Sequence, residues 1–157
     1  MAEASITRAQ DGEEVLPEPA QLRIFEDGST TDHRLAAGLI TMQPRTEGPP
    51  AHWHQKHDEG FYVLAGTPRF TISNNEHDAP PGTLVMIPPG VPHTFGNPSE
   101  DTAVIFVTFS PDLYIGYFRE LRDRMASGAP LTHEAIAEVM ARYATYPAGQ
   151  PAPEPQA

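Results

Sequence analysis

Four side chains with nitrogen or oxygen donors stand out in two short stretches of this 157-residue chain. His52 and His54 are two residues apart, Glu59 follows closely, and His93 lies further along. Side chains two apart on a β-strand project from the same face, so His52 and His54 would point together while Trp53 points away. A short loop that folds the chain back would bring Glu59 toward them. The spacing therefore predicts converging imidazoles and a carboxylate.

His93 reaches the same place if the chain turns sharply before it. Pro88, Pro89 and Gly90 are a turn signal between two short apolar stretches, and such a turn aims the second stretch back across a sheet. Three imidazole nitrogens and one carboxylate oxygen suit a first-row divalent ion such as Fe, Ni, Co, Mn or Zn, and octahedral geometry leaves two positions open. We therefore expect these four side chains to hold one divalent transition metal in a catalysis-capable site.

Composition and charge narrow the functional classes. The chain has 10 Lys and Arg against 21 Asp and Glu, a formal net charge of −11, so nucleic-acid backbones and anionic membrane surfaces would be repelled. It has no Cys, which excludes thiolate metal sites and cysteine nucleophiles. The first residues lack the pattern of a secretory signal, and no apolar run approaches the roughly 20 residues of a membrane span. We expect a cytoplasmic protein with a small-molecule substrate and no nucleic-acid or membrane partner.

The 18 Pro and 12 Gly indicate many turns between short strands, which favours an all-β core. Strands are predicted near residues 22–26, 33–42, 51–55, 59–65, 68–73, 83–87, 92–96 and 103–109.

After residue 109 the apolar period changes to that of a helix. Ser110 and Pro111 predict the start of a first helix, Gly128 its end, and Thr132 the cap of a second. The predicted organisation has four parts: a flexible acidic segment over 1–20, a β-barrel over 21–110, a helical pair packed on the barrel over 111–146, and a disordered Pro-rich tail over 147–157.

The two stretches resemble the paired motifs of the cupin superfamily. The second motif, G-x5-P-x-G-x2-H-x3-N, is matched at Gly82, Pro88, Gly90, His93 and Asn97. The first, G-x5-H-x-H-x3-4-E-x6-G, is matched at His52, His54, Glu59 and Gly66, although only three residues separate Gly48 from His52. The motifs span residues 48–97, and the strand pattern extends the resemblance to about 22–109.

The resemblance implies a fold and an assembly. Cupins are small antiparallel jelly-roll barrels with the metal inside, commonly homodimers formed through sheet edges or exchanged terminal strands. The H-x-H-x4-E spacing, the phrase Gly60–Gly66 and the two C-terminal helices look most like the single-domain cupins similar to quercetin 2,3-dioxygenase.

That likeness implies a metal-dependent dioxygenase acting on an aromatic or enol-bearing molecule, which binds the metal through a deprotonated oxygen while Glu59 acts as general base. Two alternatives stay open: a non-redox metal-dependent isomerase, decarboxylase or cyclase, and a binding module without catalysis.

Three further residues belong to the predicted site. Phe61 and Phe95 are in phase with the ligands and are candidates for the cavity lining. His57 is a candidate partner of the ligand set, or a substitute for Glu59 should that carboxylate lie far from the metal. His33, His77 and His133 are not expected to be ligands.

Overall fold

The strands and helices alternate along the chain much as the turn signals predict. A computed structural model describes residues 3–153. The elements are β1 (Glu13–Leu16), β2 (Ala20–Glu26), β3 (Ala36–Met42), β4 (His52–His54), β5 (Asp58–Ala65), β6 (Arg69–Ile72), β7 (Asn75–Asp78), β8 (Leu84–Ile87), β9 (His93–Gly96), β10 (Ala103–Ser110), α1 (Ile115–Ser127), α2 (His133–Arg142) and β11 (Thr145–Pro147).

The strands form two antiparallel sheets with the core between them. The larger sheet has the order β1-β2-β3-β10-β5-β8, and the smaller has the order β11-β4-β9-β6-β7. Burial alternates strictly along β3 and β10, as expected for strands with one face on a core. The predicted all-β class, with an antiparallel jelly-roll barrel and two C-terminal helices, is confirmed.

Two connections carry the chain from one sheet to the other beside the predicted ligands. Residues 55–57 join β4 of the smaller sheet to β5 of the larger sheet, and the turn at residues 88–92 joins β8 of the larger sheet to β9 of the smaller one. Both segments therefore place the side chains that follow them on the opposite wall of the barrel. This differs from a simple hairpin, in which β4 and β5 would be neighbours in one sheet.

The first helix begins later than predicted and ends as predicted, and the second has the predicted cap. Ser110 completes β10, and a 3-10 turn over Asp112–Tyr114 precedes α1, so the helix starts at Ile115. Gly128 ends α1 in the left-handed conformation with φ of 71°, which glycine adopts without steric cost. The Thr132 hydroxyl accepts a hydrogen bond from the Ala135 N–H at 3.1 Å and caps α2. None of the helices in residues 3–153 combines the length and apolar composition that crossing a membrane requires.

Both predicted terminal segments are shorter in the structure than the sequence indicates. Glu13–Leu16 is a strand paired with β2, because Val15 is buried in the core and Glu13 forms ion pairs with Arg119 and Arg122 of α1. The prediction of a flexible segment over 1–20 is therefore wrong for these residues. At the other end, Thr145–Pro147 pairs with β4, so ordered structure includes Pro147. Residues 154–157 of the predicted tail lie outside the described residues.

Candidate metal centre

The predicted ligands come from three strands on two facing walls. His52 and His54 lie on β4 and His93 on β9, where His52 and His93 are directly paired across the smaller sheet. Glu59 lies on β5 of the larger sheet and faces them. All four side chains are buried, and Trp53 between the first two histidines is not. Two neighbouring strands thus supply the imidazoles, and the opposite wall supplies the carboxylate.

The donor atoms converge on a single point. One ligand atom from each of His52, His54, Glu59 and His93 lies within 4.8 Å of the others. Glu59 Oε1 lies 3.2 Å from His54 Nε2, and Glu59 Oε2 lies 3.1 Å from His93 Nε2. The structure therefore brings together the four ligands that the motif predicts.

In each imidazole, Nδ1 points away from the ligand group and has a hydrogen-bond acceptor. This contact fixes the orientation of the ring. His52 Nδ1 lies 2.8 Å from the Pro50 carbonyl oxygen and His93 Nδ1 lies 2.9 Å from that of Val91. A carbonyl oxygen can only accept, so in both rings Nδ1 carries the proton and Nε2 presents its lone pair.

His54 is oriented by a side chain that sequence reasoning missed. Its Nδ1 lies 2.7 Å from Thr145 Oγ1, and that hydroxyl donates to the Tyr143 carbonyl oxygen at 3.2 Å. Because the hydroxyl hydrogen is used on Tyr143, the Thr145 oxygen accepts from His54 Nδ1. Thr145 lies 91 positions from His54 on β11, and the only signal in the sequence is its place after α2. The third imidazole is thus left with a free lone pair on Nε2.

The pKa shifts in the group favour the ionisation states that metal ligands need. Burial, together with the neighbouring His93 and His54 rings, lowers the pKa of His52 to about 3, and burial also lowers the pKa of His54. Burial by itself raises the pKa of the Glu59 carboxyl, but contacts with the surrounding histidines outweigh it and hold this pKa well below its usual range. At neutral pH the His52 and His54 rings are therefore uncharged and the Glu59 carboxylate is ionised.

The residues fit a divalent ion. His54 Nε2 is buried and has no hydrogen-bond partner among the described residues, a costly situation for a polar atom in a core. A cation at the point where the four donors meet would satisfy this lone pair and balance the Glu59 charge. Three nitrogen donors and one oxygen donor are also a set that divalent first-row metals bind well. The buried group therefore has the donors, the burial and the spacing to hold one divalent metal ion.

Gly48 explains why the segment before His52 departs from the motif. A Cβ on Gly48 would lie 1.7 Å from the Phe95 carbonyl oxygen, so only glycine lets this segment lie against β9. The Asn97 N–H donates to the Thr46 carbonyl oxygen at 2.8 Å and holds the same segment in place. The Pro50 carbonyl oxygen of this segment is then in position to accept a hydrogen bond from the His52 ring.

His57 lies beside the ligand group and is not a member of it. Its ring is 4.0 Å from that of His54 between centroids, and it stacks on Tyr114 at 5.1 Å. His57 Nε2 is 3.6 Å from Glu59 Oε1, and neither ring nitrogen has a hydrogen-bond partner among the described residues. Because Glu59 is in the group, His57 is not needed as its substitute.

A cavity of about 300 Å³ opens from the ligand group toward the two helices. Phe61 and Phe95 line it, together with His52, Glu59 and side chains from α1 and α2. Tyr114 also lines it, with its ring 4.7 Å from that of His54. The sequence places Tyr114 only in the apolar stripe of a helix, because nothing local shows that the chain returns it to the ligands. His33, His77 and His133 are exposed on the surface and lie outside the group.

Comparisons with known proteins agree with this geometry. Residues 38–109 match the family model described as "Cupin domain". These residues include all four predicted ligands. No curated protein matches the chain in sequence.

Several solved structures share the fold. The polyketide cyclase RemF from Streptomyces resistomycificus has a TM-score of 0.60 at 19% identity, covering 69% of this chain and 80% of that one. A sugar phosphate isomerase from Silicibacter pomeroyi has a TM-score of 0.55 at 19% identity, covering 68% and 75%. The Streptomyces nucleoside dehydratase Pac13 has a TM-score of 0.55 at 15% identity, covering 69% and 83%. At these identities the likeness concerns the fold alone.

Replacing Thr145 by Val tests the orientation of His54. The substitution keeps the shape of the side chain but removes the acceptor for His54 Nδ1, so we expect metal affinity to fall by about 10- to 100-fold while the fold is retained. Competition with a chelating dye measures the affinity. Thr71→Val on β6 of the same sheet is the control and should bind metal like the wild type. Equal affinity in both variants would show that the Thr145 contact does not matter.

Proposed function

We propose that this protein is a metal-dependent dioxygenase that acts on an aromatic or enol-bearing small molecule, bound to the metal through a deprotonated oxygen. The observation that carries the proposal is the buried group of His52, His54, Glu59 and His93 opening directly into an apolar cavity. A ligand set with open positions at the end of such a cavity can hold one oxygen of a substrate while the apolar walls hold its carbon skeleton.

The chain's own residues have distinct roles in this reaction. The three imidazoles and Glu59 would hold the ion, and this set of donors suits Fe, Ni, Co, Mn or Zn. When bound, a redox-active ion supplies a Lewis acid that lowers the pKa of a substrate hydroxyl and an electronic path to dioxygen. Both oxygen atoms enter the product, so no external reductant is needed.

Glu59 is suited to take the proton of that hydroxyl. It is ionised at neutral pH, it lines the cavity, and it approaches the group from the wall opposite the imidazoles. Its carboxylate can therefore accept a proton without displacing any of the three rings. In this proposal Glu59 is both a ligand and the catalytic base.

The side chains that line the cavity favour a reaction with dioxygen over one with several proton transfers. Phe61 and Phe95 help to exclude water, and the phenols of Tyr114 and Tyr117 stay protonated because burial raises the pKa of each. Glu59 is then the one strong candidate base among the described lining residues near the ligands. Ring opening by dioxygen needs a single deprotonation, whereas many isomerisations need two positioned groups.

A non-redox reaction is the second candidate. It is favoured by structural neighbours whose names describe a cyclase, an isomerase and a dehydratase. The same ligands would then polarise a carbonyl or enolate, with Glu59 moving a proton and Tyr114 donating a hydrogen bond. A binding module, in which the metal only anchors a ligand, would show tight binding and no product.

His57 is proposed to position Glu59. Its Nε2 is the closest unpartnered donor to Glu59 Oε1, at 3.6 Å, and its ring is locked between His54 and Tyr114. A small movement of the carboxylate would complete a hydrogen bond to His57, leaving Oε2 as the oxygen directed at the metal.

We also propose that the protein forms a homodimer through the outer face of the larger sheet. Leu39, Phe106, Tyr62 and Leu84 face one another in register across β3, β10, β5 and β8, forming an outer apolar row. Tyr62 and Leu84 are 43% and 59% exposed, and β8 is an edge strand of the sheet. Chains with a net charge of −11 repel one another, so an uncharged row is where a second copy can approach.

Oxygen dependence tests the proposed reaction. Protein loaded separately with Fe, Ni, Co, Mn or Zn is mixed with 2,3-dihydroxynaphthalene as the probe, and oxygen uptake and loss of the naphthalene absorbance are followed. We expect uptake with a redox-active ion, none with Zn, and both atoms of ¹⁸O₂ in the product. Turnover that persists without oxygen, or that is equal with Zn, would support the non-redox candidate, and His93→Gln is the inactive control.

His57→Phe tests the positioning role. The substitution keeps the ring volume but removes the nitrogen near Glu59, so we expect about tenfold weaker Co(II) binding and a changed visible Co(II) spectrum. Phe109→Leu, which alters a ring 6.3 Å from His57, is the packing control and should leave the spectrum unchanged. An unchanged spectrum and affinity in His57→Phe would rule out the role.

Sedimentation tests the dimer. The wild-type chain of 17.1 kDa is expected to sediment at twice that mass, and the double substitution Leu84→Lys with Met86→Lys at the monomer mass. Leu131→Lys, at an exposed position just before α2, should remain dimeric. A wild-type monomer, or a dimer that survives the double substitution, would contradict this interface.

A further inference from the structure

The charges around the cavity are of one sign. Its walls are aliphatic and aromatic apart from a few polar groups, and the acidic side chains that line it are Glu59 beside the ligands and Glu47 in the segment before β4. No lysine or arginine within residues 3–153 lines it. An anionic group held in this space, away from the metal, would therefore find no positive partner.

The cationic side chains on the covering helices are used elsewhere. Arg119 of α1 pairs with Glu13 at 2.6 Å and with Asp27 at 2.7 Å, on the side of the helix that meets β1. Arg142 of α2 pairs with Glu120 of α1. Each guanidinium is held by a carboxylate, and neither belongs to the cavity lining. Turning either one into the cavity would break these pairs.

The opening of the cavity offers no unpaired cation among the described residues either. Arg45 and Arg69 line the surface groove next to it, and each is paired with a surface carboxylate. Glu47, Gly48, Pro49 and Pro50 line both the cavity and an open groove on the surface, so this segment forms the rim. Glu47 is exposed there, in a chain whose net charge is −11. An anion would be repelled on approach as well as inside.

We infer that the substrate of this site is uncharged and apolar everywhere except at the oxygen that meets the metal. It carries no phosphate, carboxylate or sulfate on the part that occupies the cavity, because burying such a group without a counter-charge is strongly unfavourable. A volume of about 300 Å³, at the small end of ligand pockets, suits a skeleton of about two fused rings. This inference rests on the proposed function, and it separates the site from one that takes a sugar phosphate.

A matched pair of probes tests the inference without requiring turnover. 2,3-Dihydroxynaphthalene and its 6-sulfonate carry the same two hydroxyls for the metal and differ only in an anion at the far end. Binding of each to Zn-loaded wild-type protein is measured by calorimetry, with the metal content of the same sample determined by mass spectrometry. We expect the neutral probe to bind at least tenfold more tightly than the sulfonate.

Two variants connect this preference to the cavity. Ile136→Trp places a larger side chain in the lining and should weaken binding of the neutral probe at least tenfold, whereas Leu131→Trp at an exposed position outside the lining should have no effect. Leu121→Arg adds a guanidinium to the lining and should reduce or reverse the preference for the neutral probe over the sulfonate. Melting curves and metal content show whether each variant remains folded and loaded.

The outcomes separate the inference from the proposed function. Metal-loaded protein that binds the sulfonate as tightly as the neutral probe, or that binds neither, overturns the inference. A wild-type protein that takes up no metal overturns the proposed function first, and the two failures are distinguished by the metal content. A preference unchanged in both Ile136→Trp and Leu121→Arg would place the probe outside this cavity and would also overturn the inference.

Discussion

Three imidazoles must be buried side by side with one ionised carboxylate, and the arrangement of the surrounding elements follows from this constraint. Each ring has two nitrogens to satisfy, and water is excluded from the place where they meet. Three of these six nitrogens, the Nδ1 atoms, have hydrogen-bond acceptors on Pro50, Val91 and Thr145. The other three, the Nε2 atoms, point inward, where a cation and Glu59 can contact them.

The fold places the four ligands and the acceptors of their Nδ1 atoms. Two of the connections between the sheets lie beside the ligands, and they place the imidazoles and the carboxylate on opposite walls. Gly48 lets the segment before His52 lie against β9. The C-terminal helices cover the cavity, and the chain after α2 returns as β11 with Thr145 at the back of His54. The helical region is therefore part of the site as well as its cover.

The ligands were predictable from the sequence because they depend on local rules. His52 and His54 follow the two-residue period of a strand, and the turn at Pro88–Gly90 marks where His93 re-enters. Thr145, Tyr114 and the strand Glu13–Leu16 were not predictable, because each depends on contacts with residues far away in the chain. Val15 is a short apolar interruption in acidic sequence, and only its burial and the Arg119 pairs reveal the strand. The one-sided charge of the cavity likewise needed the packing of α1 and α2 on the barrel.

The central claim is that the four side chains bind one metal ion together, and the metal content of purified protein tests it most directly. Wild-type protein, His52→Ala, His93→Ala and the exposed control His77→Ala are loaded with a divalent metal, dialysed against buffer and analysed by mass spectrometry. We expect about one ion per chain in the wild type and in His77→Ala, and little metal in His52→Ala and His93→Ala. Equal metal in all four proteins, or none in the wild type, would contradict it.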